Sequence, residues 1–317
     1  MARCQYTEAM QRAVIVLNPS ARKPPSRERL RAAAASVRPA GWEVDVLCTE
    51  SAGHATALAR EAAATGAAVV FACGGDGTLN EVANGLVGSE STLGALRGGM
   101  GNVFAKEVGV PRSPEAALRL LVEGERRRID LGVAGTGDGG QGRHFVLMAG
   151  VGFDAEVVRR VPESPKRLLG TTAYVLWGVR ELARYRSAAA RLRIDGEARE
   201  AELFWLIVGN TRSYGGVIDV TAKALADDGC LDAYVFAGRG LRWTLATGLR
   251  LVLRRHDGAP GVSFHRVHEL AVETAGMPVQ ADGEYFGETP MRFWVAPRAI
   301  SVLLPRGRAA RLFSSKV

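Results

Sequence analysis

Ala67-Ala-Val-Val-Phe-Ala-Cys-Gly-Gly-Asp-Gly-Thr-Leu-Asn-Glu-Val-Ala-Asn-Gly-Leu86 decides the fold. Its first seven residues form an apolar run of the length and β-branched content of a buried strand. The run breaks at Gly74-Gly75-Asp76-Gly77-Thr78. Leu79, Val82, Ala83 and Leu86 then fall at helical spacing. A strand, a glycine turn and a helix make a phosphate cradle. Glycines let backbone N–H groups approach the anion, and the helix N-terminus adds positive partial charge. Asp76 is the odd member, because a carboxylate repels phosphate. It fits a Mg²⁺ ion, a metal-bound water or a hydroxyl awaiting deprotonation. The plainer reading is a glycine-rich left-handed turn closed by the Asp side chain.

The same alternation extends on both sides. Residues 13–18 read as a first buried strand ending at Asn18-Pro19-Ser20. Ser26 caps a helix to about Arg38, Trp42 to Cys48 is a second strand, and a helix runs from His54 to about Ala64. Thr92 to Leu96 is a fourth strand, and Ser113-Pro114-Glu115 opens a helix ending near Gly124. Alternating strands and helices predict a parallel, doubly wound α/β domain over residues 1–125. From Arg127 the pattern turns to β. Arg128 to Ala134 and His144 to Ala149, across a glycine-rich turn at 135–142, read as a hairpin. Arg191 to Asp195 and Glu200 to Val208 read as another. A helix starts after Gly152 with Asp154 as a candidate N-cap, and Lys166 to Arg186 reads as a long helix. Gly240 to Arg255 reads as a basic amphipathic helix, either solvated or lying on an anionic membrane. Residues 126–299 thus read as a β-rich second domain.

The 317 residues carry a net charge of +8 and are 47% hydrophobic. That composition supports two folded cores and excludes disorder. The charge suits an anionic partner, or reflects a general Arg bias. Aromatic and basic residues do not interleave in a stripe, so nucleic acid is not expected. Cys4, Cys48, Cys73 and Cys230 have no metal-like or disulfide-framework spacing, which fits a reducing, cytoplasmic setting. Arg3, Glu8 and Arg12 leave no apolar core for a signal peptide. Leu168 to Leu182 is interrupted by Gly170, Gly178, Arg180 and Glu181, too polar to span a membrane. His265 and His268 have the wrong parity for one strand face, against a shared metal.

Gly74-Gly75-Asp76-Gly77-Thr78 with Asn80-Glu81-Val82 and Gly85-Leu86 resembles the nucleotide loop of the diacylglycerol kinase catalytic superfamily. That group holds bacterial lipid kinases, sphingosine kinases and ceramide kinases. NAD kinases and phosphofructokinases share a related loop, so the resemblance implies an NAD-kinase/phosphofructokinase-like first domain and a β-rich, sandwich-like second one. Further segments are similar. Asn18-Pro19-Ser20 resembles the family's opening turn, though Ala21 stands where Gly is usual. Arg97-Gly98-Gly99-Met100-Gly101-Asn102 resembles P-x-G-T-x-N, with Arg97 for Pro and Met100 for the hydroxyl residue. Arg97 could compensate as a phosphate ligand, or be solvated. Gly150-Val-Gly-Phe-Asp-Ala155, Asn210 to Gly216, Ala224 to Asp232 and Asp282-Gly283-Glu284 resemble later family segments.

The resemblance implies an ATP- and Mg²⁺-dependent kinase that phosphorylates a hydroxyl of diacylglycerol or a sphingoid- or ceramide-like lipid. Asn18, Ser20, Thr49, Gly74, Gly75, Gly77, Thr78, Glu81, Gly99, Asn102 and Glu284 would bind ATP. Asp76 would order Mg²⁺ or water, and Asp282 would be the general base. By its residues alone, Asp282-Gly283 is also an ordinary hairpin turn. Asp228, with the carbonyls of Leu225 and Cys230, resembles a structural Mg²⁺ site of some bacterial members, or is a tight Asp-Gly turn. Thr49 and Ser51 as isolated hydroxyls read as helix caps. A lipid substrate met peripherally at a membrane surface, an apolar acyl pocket and a homodimer are further expectations of the resemblance. The alternatives are a kinase of a soluble acceptor, as in NAD kinases, and a catalytically silent nucleotide-binding regulator.

Overall fold

A computed structural model describes residues 10–136, 142–161, 177–178, 180–182, 184–216, 218–307 and 311–314. Cys4, most of the turn at 135–142 and most of the expected helix Lys166–Arg186 lie outside the described residues. The chain divides into two compact units. Unit 1 is Met1–Gly99, Gly109–Arg127 and Ile300–Arg308; unit 2 is Met100–Val108, Arg128–Ala299 and Ala309–Val317.

Unit 1 follows the strand–helix alternation: β1 (Gln11–Leu17), α1 (Arg27–Val37), β2 (Trp42–Cys48), α2 (His54–Ala64), β3 (Val69–Gly74), α3 (Asp76–Leu86) and β4 (Thr92–Arg97). The strands are parallel and ordered β2-β1-β3-β4. Ala13 to Leu17 and Val69 to Cys73 are almost wholly buried, as strands covered on both faces must be. Ser26 Oγ caps α1 by accepting from Arg29 N at 3.2 Å. Past α4 (Val103–Glu107), which belongs to unit 2, α5 (Pro114–Leu118) opens on the Ser113 cap and runs into α6 (Leu120–Glu123). The connection β1-α1-β2 runs to one side of β1, and β3 and β4 lie on the other. The order therefore reverses between β1 and β3, where doubly wound sheets bind their ligands, outside the carboxyl ends of the strands.

Unit 2 is antiparallel. β5 (Glu125–Gly135) pairs with β6 (Arg143–Phe145), while β7 (Met148–Gly152) leads into α7 (Phe153–Arg160). β8 (Ala188–Ile194) and β9 (Glu197–Gly209) form a hairpin whose Asp195-Gly196 turn has both φ positive, a type I′ pattern. β10 (Ser213–Tyr214) pairs with β11 (Ile218–Asp219). β12 (Leu231–Ala237), α8 (Leu241–Val252), β13 (Val262–Val267), β14 (Glu269–Val272), β15 (Pro278–Ala281), β16 (Glu284–Glu288) and β17 (Met291–Leu304) complete the chain. β7 lies between β9 and β15. The core gathers Phe145, Leu206, Val208, Leu231, Phe293 and their neighbours.

The expected strand His144–Ala149 is broken. β6 stops at Phe145 and β7 starts at Met148. The two residues between turn their N–H groups to a side chain, described next, instead of to a neighbouring strand.

Candidate active site

The loop after β3 is shorter than its glycines suggest. β3 ends at Gly74, and α3 begins at Asp76, with Gly75 alone between them. None of Gly74, Gly75 and Gly77 has positive φ, so the left-handed turn is not what the glycines serve. They serve close approach. A Cβ on Gly74 would lie 2.3 Å from Thr78 Oγ1, and one on Gly99 would lie 2.5 Å from Gly75 Cα. Gly98 N donates to Gly74 O at 2.9 Å, and Lys23 N donates to Gly98 O at 2.8 Å. The loops after β1, β3 and β4 are thus knit together at the carboxyl ends of their strands.

Asn18 closes the other side of the switch point. Its N–H donates to Cys73 O, its Oδ1 accepts from Ser20 N at 2.9 Å, and its Nδ2 donates to Thr78 Oγ1 at 3.1 Å. Thr78 is buried in the first turn of α3, beside the N–H groups that a helix start leaves for an anion. Arg97 is in register with Gly74, which puts its guanidinium carrier next to the cradle. Burial, and then Arg112, lower its pKa, though an arginine keeps its charge. Thr49 lies just past β2, its N–H held by Leu17 O.

Two expected roles change. Neither Thr49 nor Ser51 caps α2: the N-cap is Gly53, in the left-handed region, without a side-chain bond. Glu81 does that work from α3, its Oε2 accepting from Ala55 N at 3.0 Å. Its carboxylate joins two helices. The cradle loops give a first prediction. Gly99→Ala sets a methyl against backbone, so it should cost about 1–3 kcal/mol in thermal unfolding and weaken ATP binding by titration calorimetry.

In unit 2, Asp282 sits at the β15–β16 turn with φ +49, followed by Gly283 at φ +81. The hairpin turn read from Asp-Gly is real, and its side chain is directed inward. Asp282 Oδ2 accepts from Val146 N at 2.8 Å, and Oδ1 accepts from Leu147 N at 2.8 Å and Met148 N at 3.0 Å. This is what interrupts β6 and β7. Asn210 braces the same segment, its Nδ2 donating to Val146 O and Asp130 O at 2.9 Å each. Glu284 begins β16, where Arg143 bonds it at 2.5 Å. Asn102 precedes α4 with φ +45, a conformation Asn tolerates.

Beneath the turn lies a group that spacing alone misassigns. Asp154 is not the N-cap of α7; Gly152 is. Asp154 is buried, accepting at Oδ2 from Gln280 Nε2 at 2.9 Å and at Oδ1 from Ala155 N at 2.8 Å. Gln280 Oε1 in turn accepts from Gly283 N at 2.9 Å. A Cβ on Gly150 would strike Asp154 Oδ2 at 2.0 Å. Gln280, a buried amide between apolar Val279 and Ala281, was the sequence signal for this network.

Burial pushes the Asp154 carboxyl up from 3.8 to about 7, with the Gln280 bond acting against it. A folded-state pKa above the unfolded one means stability fully present below about pH 3.8 and lost as pH rises through about 7. The slope approaches about 1.4 kcal/mol per pH unit. Asp154→Asn should flatten it, read as the change in urea midpoint between about pH 5 and about pH 8.

Metal fit differs between the two units. Asp76 offers a hard carboxylate beside a phosphate cradle, as a nucleotide-borne Mg²⁺ requires. No cluster of three metal-ligating side chains exists among the described residues. Asp228 Oδ1 accepts from Cys230 N at 3.0 Å, and Oδ2 is bonded by the Arg266 guanidinium. That carboxylate therefore has its countercharge within the chain. His265 bonds Ser263, and no metal-ligating cluster among the described residues includes it or His268. Cys48, Cys73 and Cys230 are free thiols, with Cys73 pushed up to about 12 by burial. A cavity of about 550 Å³ on the β8–β9 hairpin mixes Arg191, Glu200, Glu202 and Glu273 with three alanines, so it is not a wholly apolar acyl pocket.

A family model described as the diacylglycerol kinase catalytic domain matches residues 12–134. One described as the YegS C-terminal NAD kinase beta sandwich-like domain matches residues 147–304. A Pseudomonas aeruginosa protein named "Probable lipid kinase YegS-like" is 37% identical over 290 residues, covering 90% of this chain and 92% of the relative. The chain belongs to the diacylglycerol kinase catalytic-domain family. A Bacillus subtilis relative named "Diacylglycerol kinase" is 30% identical over 96% of this chain and 99% of its own. The crystal structure of a diacylglycerol kinase from Bacillus anthracis shares the fold, with TM-score 0.70 at 21% identity over 95% of this chain and 99% of that one. This family member is therefore a kinase with an α/β first domain and a sandwich-like second one. No helix among the described residues is long and apolar enough to cross a membrane.

Proposed function

We propose that this kinase transfers the γ-phosphate of ATP to a lipid hydroxyl, diacylglycerol or an amphipathic alcohol like it. The observation that carries the reading is the glycine cradle at the β1/β3 switch point, closed by Asn18 and Thr78. Backbone N–H groups of Gly75, Gly77 and Thr78 at the start of α3 meet the phosphates. Arg97 adds a cation where the hydroxyl residue of related loops is replaced by Met100. Asp76 would hold Mg²⁺, which would supply the charge neutralisation that a loose phosphoryl-transfer transition state demands. Asp282 takes the proton of the acceptor hydroxyl. Such a transition state needs a positioned carboxylate more than a strong base, and three amides position this one. The names of the relatives support a lipid acceptor over a soluble one.

The test is ADP release, coupled to an optical assay, with Mg·ATP and either mixed micelles carrying diacylglycerol, ceramide or a sphingoid base, or soluble NAD. Stimulation by one lipid class and none by NAD is expected. Stimulation by NAD alone would replace the acceptor. ATP binding with no stimulated turnover would make the chain a nucleotide-binding regulator.

A further inference from the structure

The helix α8 is built the wrong way round for a globular protein. Its polar Thr244 and Thr247 are buried with Leu251, while Leu241, Leu245, Leu249, Val252 and Leu253 are 54–66% exposed. On a helical wheel the exposed residues span a sector roughly 120° wide. Of the large apolar residues from Leu241 to Leu253, only Trp243 and Leu251 turn inward, which chance does not arrange on a helix so firmly seated. Trp243 anchors the inner face, donating from Nε1 to Pro260 O at 3.0 Å and meeting Phe204 edge-on at 5.8 Å. Gly238 and Gly261 leave it room, since a Cβ on either would lie within 3 Å of its ring. The apolar stripe is therefore held rigidly toward solvent.

Its surroundings are cationic. No Asp or Glu occurs from Arg239 to His256, which contains five arginines. Arg239 pairs with Glu202 and Arg254 with Asp219. Arg242, Arg250 and Arg255 have no acidic partner among the described residues. Apolar side chains rimmed by unpaired arginines match an interface of acyl chains below anionic headgroups. A second copy fits poorly: in a two-fold pair the unpaired arginines of one copy would face those of the other. We propose that α8 docks this enzyme on an anionic bilayer, with Leu241, Leu245, Leu249 and Val252 entering the acyl boundary and Arg242, Arg250 and Arg255 at the headgroups. The inference extends the lipid-kinase reading by saying how the enzyme reaches its acceptor, but the contact itself requires no catalysis.

Co-sedimentation with vesicles tests it without ATP, comparing phosphatidylcholine alone with a mixture containing about a quarter phosphatidylglycerol. Each headgroup arginine contributes about fivefold in partitioning, so binding should be at least tenfold stronger on the anionic vesicles. It should weaken as salt rises from about 0.1 to about 0.5 M. Leu245→Glu with Leu249→Glu should lower it more than about tenfold, leaving the thermal midpoint and phosphorylation of a dispersed short-chain lipid unchanged. Equal binding by wild type and variant, or no vesicle binding by the wild type, overturns the proposal. So does a wild-type dimer, seen by light scattering, that the variant dissolves. Vesicle binding that follows the leucines while no lipid is phosphorylated would sustain the docking face and sink the acceptor reading alone.

Discussion

Asp282→Asn is expected to lower the rate of phosphate transfer about 10³-fold, within the range for losing a positioned proton acceptor. It should also loosen the turn. Asp282 accepts three backbone N–H groups, and an amide in its place keeps one oxygen while pointing N–H against N–H. Bonds from amides to a charged acceptor contribute about 1.5–3 kcal/mol each, so the variant should unfold on the order of 3 kcal/mol more easily. The two effects separate by measurement. Single-turnover transfer, followed well below the variant's unfolding temperature, reads the chemistry. A folded variant that transfers phosphate at the wild-type rate would leave Asp282 only its structural task at residues 146–148.

Asp76→Asn should act with opposite signs on two readouts. The carboxylate lies at the first turn of α3, where the proposed function puts the phosphates, so without a metal it would repel them. Removing its charge should tighten metal-free ATP binding severalfold in titration calorimetry. With Mg²⁺ present, transfer should fall by about 10²–10³, because the ion loses a protein ligand. Weaker metal-free binding by the variant would show that Asp76 supports the loop by hydrogen bonding and has no part in holding a cation.

The first unit was legible because its signals are local. Trp42–Cys48 and His54–Ala64 have the bounds their apolar periodicity predicts, and Ser26 and Ser113 cap the helices they precede. The second unit depends on pairings between distant residues. Nothing near His144–Ala149 says that a carboxylate more than 130 positions later interrupts the strand. Asp154 was misassigned for the same reason, since its partner Gln280 lies 126 residues away. Of the two causes the sequence offers for the cradle glycines, approach to an anion and a left-handed turn, the backbone excludes the second. They are needed for loop-on-loop approach and not for positive φ. The motif places Glu81 with the nucleotide loop, while its bond to Ala55 N at the start of α2 joins residues 26 apart, which no local signal carries. Arg266 against Asp228 could not be foreseen from a turn motif that names only one of the two.

The most direct test is transfer of labelled γ-phosphate from Mg·ATP to a panel of lipid alcohols, run beside Asp76→Ala. The account predicts one labelled lipid class with the wild-type protein and none with the variant, while calorimetry shows that both bind ATP. No labelled lipid from a wild-type protein that binds ATP, or labelling that persists in the variant, would contradict it.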